Sequence, residues 1–335
     1  MSEARKIEIG IGIGGMSHGQ LGVDAMIEAA TRAEEEGYDF ITLADHMLWR
    51  HPTLDSLIMM GLILANTKRI KVGTVLLVPL RHPTITAKMV STLDHVAHGR
   101  VFLIPAVGGD YPNEYESCGV KVSERGGRTD ESLEIMRLLW TGEEVNYEGR
   151  YYRIQDATML PAPVQPGGPP FWLAHRGGSE AAIRRTARLC QGWFASWVSP
   201  GRFQQVWNRT LEYAQEHGRD PSSLTPASII RIYVADDKEA AIHKTADNRT
   251  RIYGHASNPG MAEYLQCLGT PQQCAEKLRA YLDAGLTHIN IAVPAPPEER
   301  DEQLNAIVRD VLPRVGITLG GSRLGREQVD IGNPG

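Results

Sequence analysis

The chain has 335 residues, 42% hydrophobic and 22% charged, the composition of a folded globular protein able to bury a substantial core rather than a disordered one. A formal net charge of -5, without a basic run or arm, argues against a protein that neutralises nucleic-acid phosphates. No window is long and apolar enough to span a bilayer, and residues 1–6 lack the charged start and apolar stretch of a secretory signal, so the cytoplasm is the expected location, with neither nucleic acid nor membrane as partner.

Residues 7–13 are apolar and β-branched, and Val23, Met26, Ile27, Ala30 and Ala33 then recur at helical spacing before Gly37, which reads as strand followed by helix. Residues 40–43 form the next strand, 55–66 a helix and 72–78 a third strand, after which Ile85, Met89, Leu93 and Val96 mark one helix face that Gly99 stops. A fourth strand over 101–107 leads into a long loop and then a helix from about Glu124, with Leu133, Met136 and Trp140 on its apolar side. Residues 145–154, centred on Glu148 and Gly149, read as an inserted β-hairpin.

A Pro-rich run returns the chain to a fifth strand at 171–174. Helix 179–189, strand 192–195, helix 200–217 and strand 227–235 continue the alternation. The helix from Lys238 runs into a second insertion, 253–269. Thr270 is the expected N-cap of helix 271–284, which precedes an eighth strand at 288–293 and a last helix at 297–312. Eight strand and helix units in one series are the signature of an α/β (β/α)8 TIM barrel with insertions after strands 4 and 7, the rival being a doubly wound open sheet. Residues 1–315 are taken as a single domain, and the Gly-rich polar segment 316–335 as a flexible tail.

In such a barrel the carboxyl ends of all strands share one face, so three distant stretches are expected to build one pocket. The first is Asp45 with His46, where an imidazole exchanges protons near neutral pH, and Trp49, Arg50 and His51 suit a binding loop. The second is Gly108, Gly109 and Asp110 with Asn113, Glu114 and Tyr115. Asp110 reads equally as the start of an Asx-turn or as an acid projected at a ligand. The third is Gly177, Gly178 and Ser179, where backbone N–H groups and a helix dipole suit a phosphate, with Arg176 adding charge.

Gly10, Gly12 and Gly15 satisfy Gly-x-Gly-x-x-Gly, but the first two lie inside a strand and the helix starts too late for a dinucleotide turn. They are read as leaving room for a planar ligand. His82, Pro83, Arg125 and Arg128 read as caps and salt bridges, and Trp172, Trp193 and Trp197 as core or pocket lining. Cys118, Cys190, Cys267 and Cys274 are scattered and read as reduced and structural, with no metal site expected.

These segments resemble the bacterial luciferase-like family of flavin-dependent oxidoreductases from Ile7 to about Leu312. The resemblance rests on Ala44-Asp45-His46, on Val78-Pro79-Leu80-Arg81-His82-Pro83, on Gly99-Arg100 followed by Gly108-Gly109, on Glu124-Arg125-Gly126-Gly127-Arg128 through Leu139-Trp140, on Gly177-Gly178-Ser179 and on Gly269-Thr270-Pro271. It implies a barrel that binds reduced flavin at the strand ends. His46 and Asp110 would be catalytic, and Asp45, Val75, Leu76, Asn113, Arg176, Gly177, Gly178 and Ser179 would hold the cofactor. Trp49 and His175 would face a small-molecule substrate, and a non-proline cis peptide would lie near Val75 and Leu76.

The same resemblance leaves two cofactors open. One is FMN, supplied reduced by a separate flavin reductase and used with O2 in a monooxygenase. The other is the deazaflavin coenzyme F420, used by dehydrogenases and reductases that transfer hydride. Asp45-His46 resembles the deazaflavin branch, although its sugar-phosphate dehydrogenases carry Glu where this chain has Asp110. A homodimer or higher homo-oligomer is implied by relatives that pair through helices on the barrel's side. The competing readings are a flavin-binding barrel without turnover and a nicotinamide-only dehydrogenase.

Overall fold

Short apolar runs alternate with helix-period segments, and they fold accordingly into parallel strands wrapped by helices. The computed structural model describes residues 6–14, 22–254 and 256–320. In chain order these form β1 (Glu8–Gly12), α1 (Val23–Glu36), β2 (Phe40–Ala44), α2 (Ser56–Asn66), β3 (Lys71–Leu77), α3 (Pro83–Ala97), β4 (Val101–Ala106), α4 (Pro112–Ser117) and α5 (Arg125–Leu139). There follow β5 (Glu144–Glu148), β6 (Arg153–Thr158), β7 (Trp172–His175), α6 (Glu180–Leu189), β8 (Gly192–Ala195), α7 (Pro200–Glu216) and β9 (Thr225–Val234). The series ends with α8 (Lys238–Tyr253), α9 (Pro259–Leu265), β10 (Cys267–Gly269), α10 (Pro271–Asp283), β11 (His288–Ala292) and α11 (Arg300–Ala306).

Eight strands close a parallel barrel in the order β1-β2-β3-β4-β7-β8-β9-β11, with β11 pairing back onto β1. The open doubly wound alternative is thereby excluded. The hairpin β5-β6 is antiparallel and lies between α5 and β7. Glu131 of α5 fixes its turn by accepting the N–H groups of Arg150, Tyr151 and Tyr152. The second insertion holds α9 and β10, and β10 extends the sheet by pairing with Ile232 to Val234 of β9.

Helix starts follow the side chains that can satisfy their first N–H groups. Asp55 caps α2, His82 caps α3 with Pro83 at the first position, and Thr270 forms a capping box with Gln273 at α10. Arg100 donates to the carbonyls of Leu64, Thr67 and Ile70, locking the end of α2 beneath β4.

Alternation along each strand puts every second side chain inside the barrel. Phe40, Phe102 and Trp172 fill its lower half, with the Phe40 and Phe102 rings edge to face at 5.8 Å. Gly10 is where the Phe40 ring lies, since a Cβ there would stand 2.1 Å from it. It makes room for the core and not for a ligand, which corrects the expectation; Gly15 lies outside the described residues. Two and four positions further along the strands the inward side chains shrink to Ala44, Ala106, Ala174 and Ala292, a shallow floor at the carboxyl-end mouth.

Other expectations also change. The loop after β4 contains α4, and the 253–269 insertion contains α9 and β10. Ile317 and Leu319, within the segment expected as a tail, pack into the core; residues 321–335 lie outside the described residues. The bond between Val75 and Leu76 is trans, since β3 is held there by regular pairing to both β2 and β4. Among the described residues the only cis bond is Leu160-Pro161. Cys190, Cys267 and Cys274 are buried and free, and burial pushes the Cys190 and Cys274 thiols up to about 12. No helix among the described residues is long and apolar enough to cross a membrane.

Candidate active site

The mouth of the barrel brings together the ends of β2, β4 and β7. Asp45, just past β2, is buried, and its carboxylate accepts both Arg81 terminal nitrogens, at 2.5 and 2.8 Å. It also accepts the Ser56 hydroxyl and the Leu77 N–H. Burial opposes the Arg81 charge, but the hydrogen bonds and charge of Asp45, with Asp55 beyond, outweigh it and raise the Arg81 pKa. Expected as a cofactor ligand, Asp45 instead spends its acceptor sites inside the protein, clamping β2 to β3 and to the start of α2.

His46 follows directly and is turned into the mouth. Its Nδ1 lies 3.0 and 3.2 Å from the two oxygens of Glu114, and the Leu48 N–H donates to the same carboxylate at 3.0 Å. A carboxylate accepts, so Nδ1 carries the proton and Nε2 is left as a base. Trp49 stacks on the imidazole at 4.0 Å, and Tyr111 packs edge-on against Trp49 at 4.2 Å. The far side of Trp49 meets Tyr253 at the end of α8, where His51 Nε2 also lies 3.2 Å from the Ile252 carbonyl. The Trp49 loop and the second insertion thus form one wall.

The acid partner of His46 is therefore Glu114 and not Asp110. Glu114 is 2% exposed, whereas the Asp110 carboxylate is 70% exposed and pairs with Arg176 at 3.2 Å. Pro112 at the first position of α4 was the signal available in the sequence, because it starts a helix whose first turn carries Glu114 inward. Asn113 sits exposed on that turn. Val75 faces the barrel interior beside Ala174, while Leu76 points outward into the helix layer and can offer only its backbone to the mouth.

At the end of β7, Gly177 takes φ +70°, and Ser179 caps α6 through Ala182 N. A Cβ at Gly178 would meet nothing within 4 Å, so the backbone of this turn is approachable. His175 is committed to the turn: the Gly177 N–H donates to its Nδ1 at 3.0 Å, and its Nε2 faces the Thr186 hydroxyl at 3.2 Å. Burial, with Arg185 adding to it, holds His175 down to about 3, so it is neutral. With both ring nitrogens engaged inside the protein, His175, expected to face a substrate, shapes the turn. Among the described residues no three His, Cys, Asp or Glu side chains converge as a metal site.

The luciferase-like monooxygenase family model matches residues 8–288. The chain belongs to this family. Among its luciferase-like relatives, an F420-dependent glucose-6-phosphate dehydrogenase of Nocardia farcinica is 30% identical over 330 residues, covering 88% of this chain and 95% of the relative. An F420-dependent secondary alcohol dehydrogenase in complex with an F420-acetone adduct superimposes with TM-score 0.78 at 20% identity, over 93% of this chain and 100% of that one. A riboflavin lyase with modified FMN and riboflavin superimposes with TM-score 0.77 at 16% identity, over 95% and 94% of the two chains. At these identities the solved structures show the luciferase-like barrel alone.

The buried Asp45–Arg81 pair is predicted to be the structural tie of the site. Asp45→Ala leaves a buried guanidinium without its main partner and is expected to destabilise the fold by about 3–5 kcal/mol, read as a lower urea midpoint. A midpoint unchanged from wild type contradicts that role.

Proposed function

We propose that this luciferase-like oxidoreductase is a deazaflavin (coenzyme F420)-dependent dehydrogenase that oxidises a hydroxyl-bearing carbon of a small organic molecule. The observation that carries the reading is the His46–Glu114 pair in the mouth of the barrel, at 3.0 Å. The F420-dependent name of the relative at 30% identity favours deazaflavin over FMN.

The residues fit a flat tricyclic cofactor with a phosphate. Ala44, Ala106, Ala174 and Val75 leave a broad shallow floor, and the Gly177–Gly178–Ser179 turn opens onto the start of α6 with Arg176 alongside. Bound there, a deazaflavin supplies a ring that takes hydride and reacts poorly with oxygen. His46 Nε2 takes the hydroxyl proton of the substrate, and Glu114 holds the other ring nitrogen and stabilises the imidazolium that forms. Trp49 and Tyr111 fix the plane of the imidazole and exclude water from one side of it. The Asp110–Arg176 pair bridges the turns after β4 and β7, and Asp110 acts by holding Arg176 rather than by moving a proton.

Titration of the purified protein with oxidised F420 and with FMN, followed by absorbance, tests the cofactor. Tight F420 binding with weak FMN binding is expected; the reverse, together with oxygen uptake, supports the monooxygenase reading and its reductase partner. His46→Ala is expected to lower turnover about 10²–10⁴-fold with F420 affinity retained. Turnover left intact refutes the assignment.

A homodimer is proposed through α2 and α3, where Ile58, Leu62, Ile85, Met89 and Val96 remain exposed on adjacent helices, with Leu54 exposed just before α2. Light scattering is expected to give the mass of a dimer for the wild type and of a monomer for Ile58→Glu/Ile85→Glu. An unchanged mass in that variant places the contact elsewhere.

A further inference from the structure

A second concavity opens outside the barrel. It is a groove of about 720 Å³ between α9 and α10, with Leu268 of β10 and the preceding Gln266 beneath it and the start of α8 at one end. Gly260, Glu263 and Tyr264 recur at i, i+3 and i+4 on α9, so one face of that helix turns into the groove. Gln273, Glu276, Lys277 and Ala280 do the same at i, i+3, i+4 and i+7 on α10. None of the lining residues belongs to the wall that His46, Trp49, Tyr111 and Tyr253 build at the mouth.

One pair of charges in the groove is satisfied within the protein: Lys238 and Glu263 meet at 2.9 Å. Lys277 and Glu276 are held only by neutral groups. The Lys277 ammonium donates to the Tyr264 carbonyl at 2.9 Å, and the Glu276 carboxylate accepts the Gln272 amide at 2.9 Å. Among the described residues neither makes a salt bridge, so each retains its attraction for an opposite charge. Gln266 adds a third group. It is 2% exposed, and its side-chain oxygen is buried with no hydrogen-bond partner among the described residues, a costly state for an acceptor. Tyr264 forms a fixed aromatic wall beside it, because its hydroxyl donates to Ser199 Oγ at 3.0 Å and Ser199 caps α7.

We propose that this groove binds a small zwitterion of the α-amino-acid class that carries a side-chain amide. Its carboxylate meets Lys277, its ammonium meets Glu276, and its amide pairs with that of Gln266. A primary amide offers a donor at one end and an acceptor at the other, so a second amide matches it whichever way Gln266 is rotated. Both charges are required of the ligand. An anion alone satisfies Lys277 and is repelled by Glu276, and a cation alone meets the reverse. Leu268 and Ala280 leave an apolar strip for the stem that joins the charged end to the amide. The site depends on neither the cofactor nor the chemistry at His46.

Calorimetric titration of the whole chain with L-glutamine tests the site, because it needs neither cofactor nor turnover. Glutaramic acid, which lacks the ammonium, and γ-aminobutyramide, which lacks the carboxylate, are each expected to bind about tenfold or more weakly than L-glutamine. Glu276→Gln, Lys277→Met and Gln266→Leu are each expected to weaken L-glutamine binding by about tenfold or more. His46→Ala, which alters the mouth, is expected to leave that binding unchanged. Circular dichroism checks the fold of each variant, and the exposed Glu276 carries the test if Gln266→Leu does not fold. Absence of L-glutamine binding in the wild type, single-charge analogues that bind as tightly as L-glutamine, or binding kept in Glu276→Gln and Lys277→Met but lost in His46→Ala overturns the proposal.

Discussion

Everything at the mouth depends on how the chain leaves β2, and the Asp45 carboxylate governs that exit. It accepts four protein hydrogen-bond donors, from Arg81, Ser56 and Leu77, and so fastens three elements that are consecutive around the barrel. With Asp45 turned outward against the start of α2 and the end of β3, the next residue points the other way, and His46 is delivered over the floor of small side chains. A buried pair of this kind gains its value from fixing geometry, since its Coulomb energy is largely offset by desolvation.

The same economy recurs around the rim. Glu114 receives both an imidazole and a backbone N–H from the β2 loop, so α4 and that loop are set by a single carboxylate. His175, kept neutral by burial, uses one nitrogen to shape the Gly177 turn and the other to reach α6. Asp45, Glu114 and His175 are each partnered within the protein, which marks them as groups that build the site.

The barrel was largely legible because its eight strands are runs of β-branched and apolar residues long enough to show their period, and the helices between them show theirs, with a recognisable cap at Thr270. The convergence of His46, Asp110 and Gly177 on one rim followed from parallel topology alone. What escaped was short or relational. Helix α4 has six residues and β10 three, too few for any period, and both were hidden in stretches that read as loop. Asp110 and Glu114 lie four residues apart after the same strand, and only Pro112, taken as a helix start, singles out the buried one. His175 reads as a pocket residue until its hydrogen bonds are seen. Gly10 shows the same limit, because only the position of the Phe40 ring reveals what its missing side chain accommodates.

The central claim is that turns separated by more than a hundred residues in the chain hold one planar cofactor, with His46 beside it. A crystal structure of the protein grown with oxidised F420 tests it most directly. The account predicts the ring lying on Ala44, Ala106 and Ala174, with the His46 imidazole within about 4 Å of the space above its reacting face and the phosphate at the Gly177–Ser179 turn. A cofactor bound anywhere but the carboxyl-end mouth, or one that leaves His46 out of reach, contradicts it.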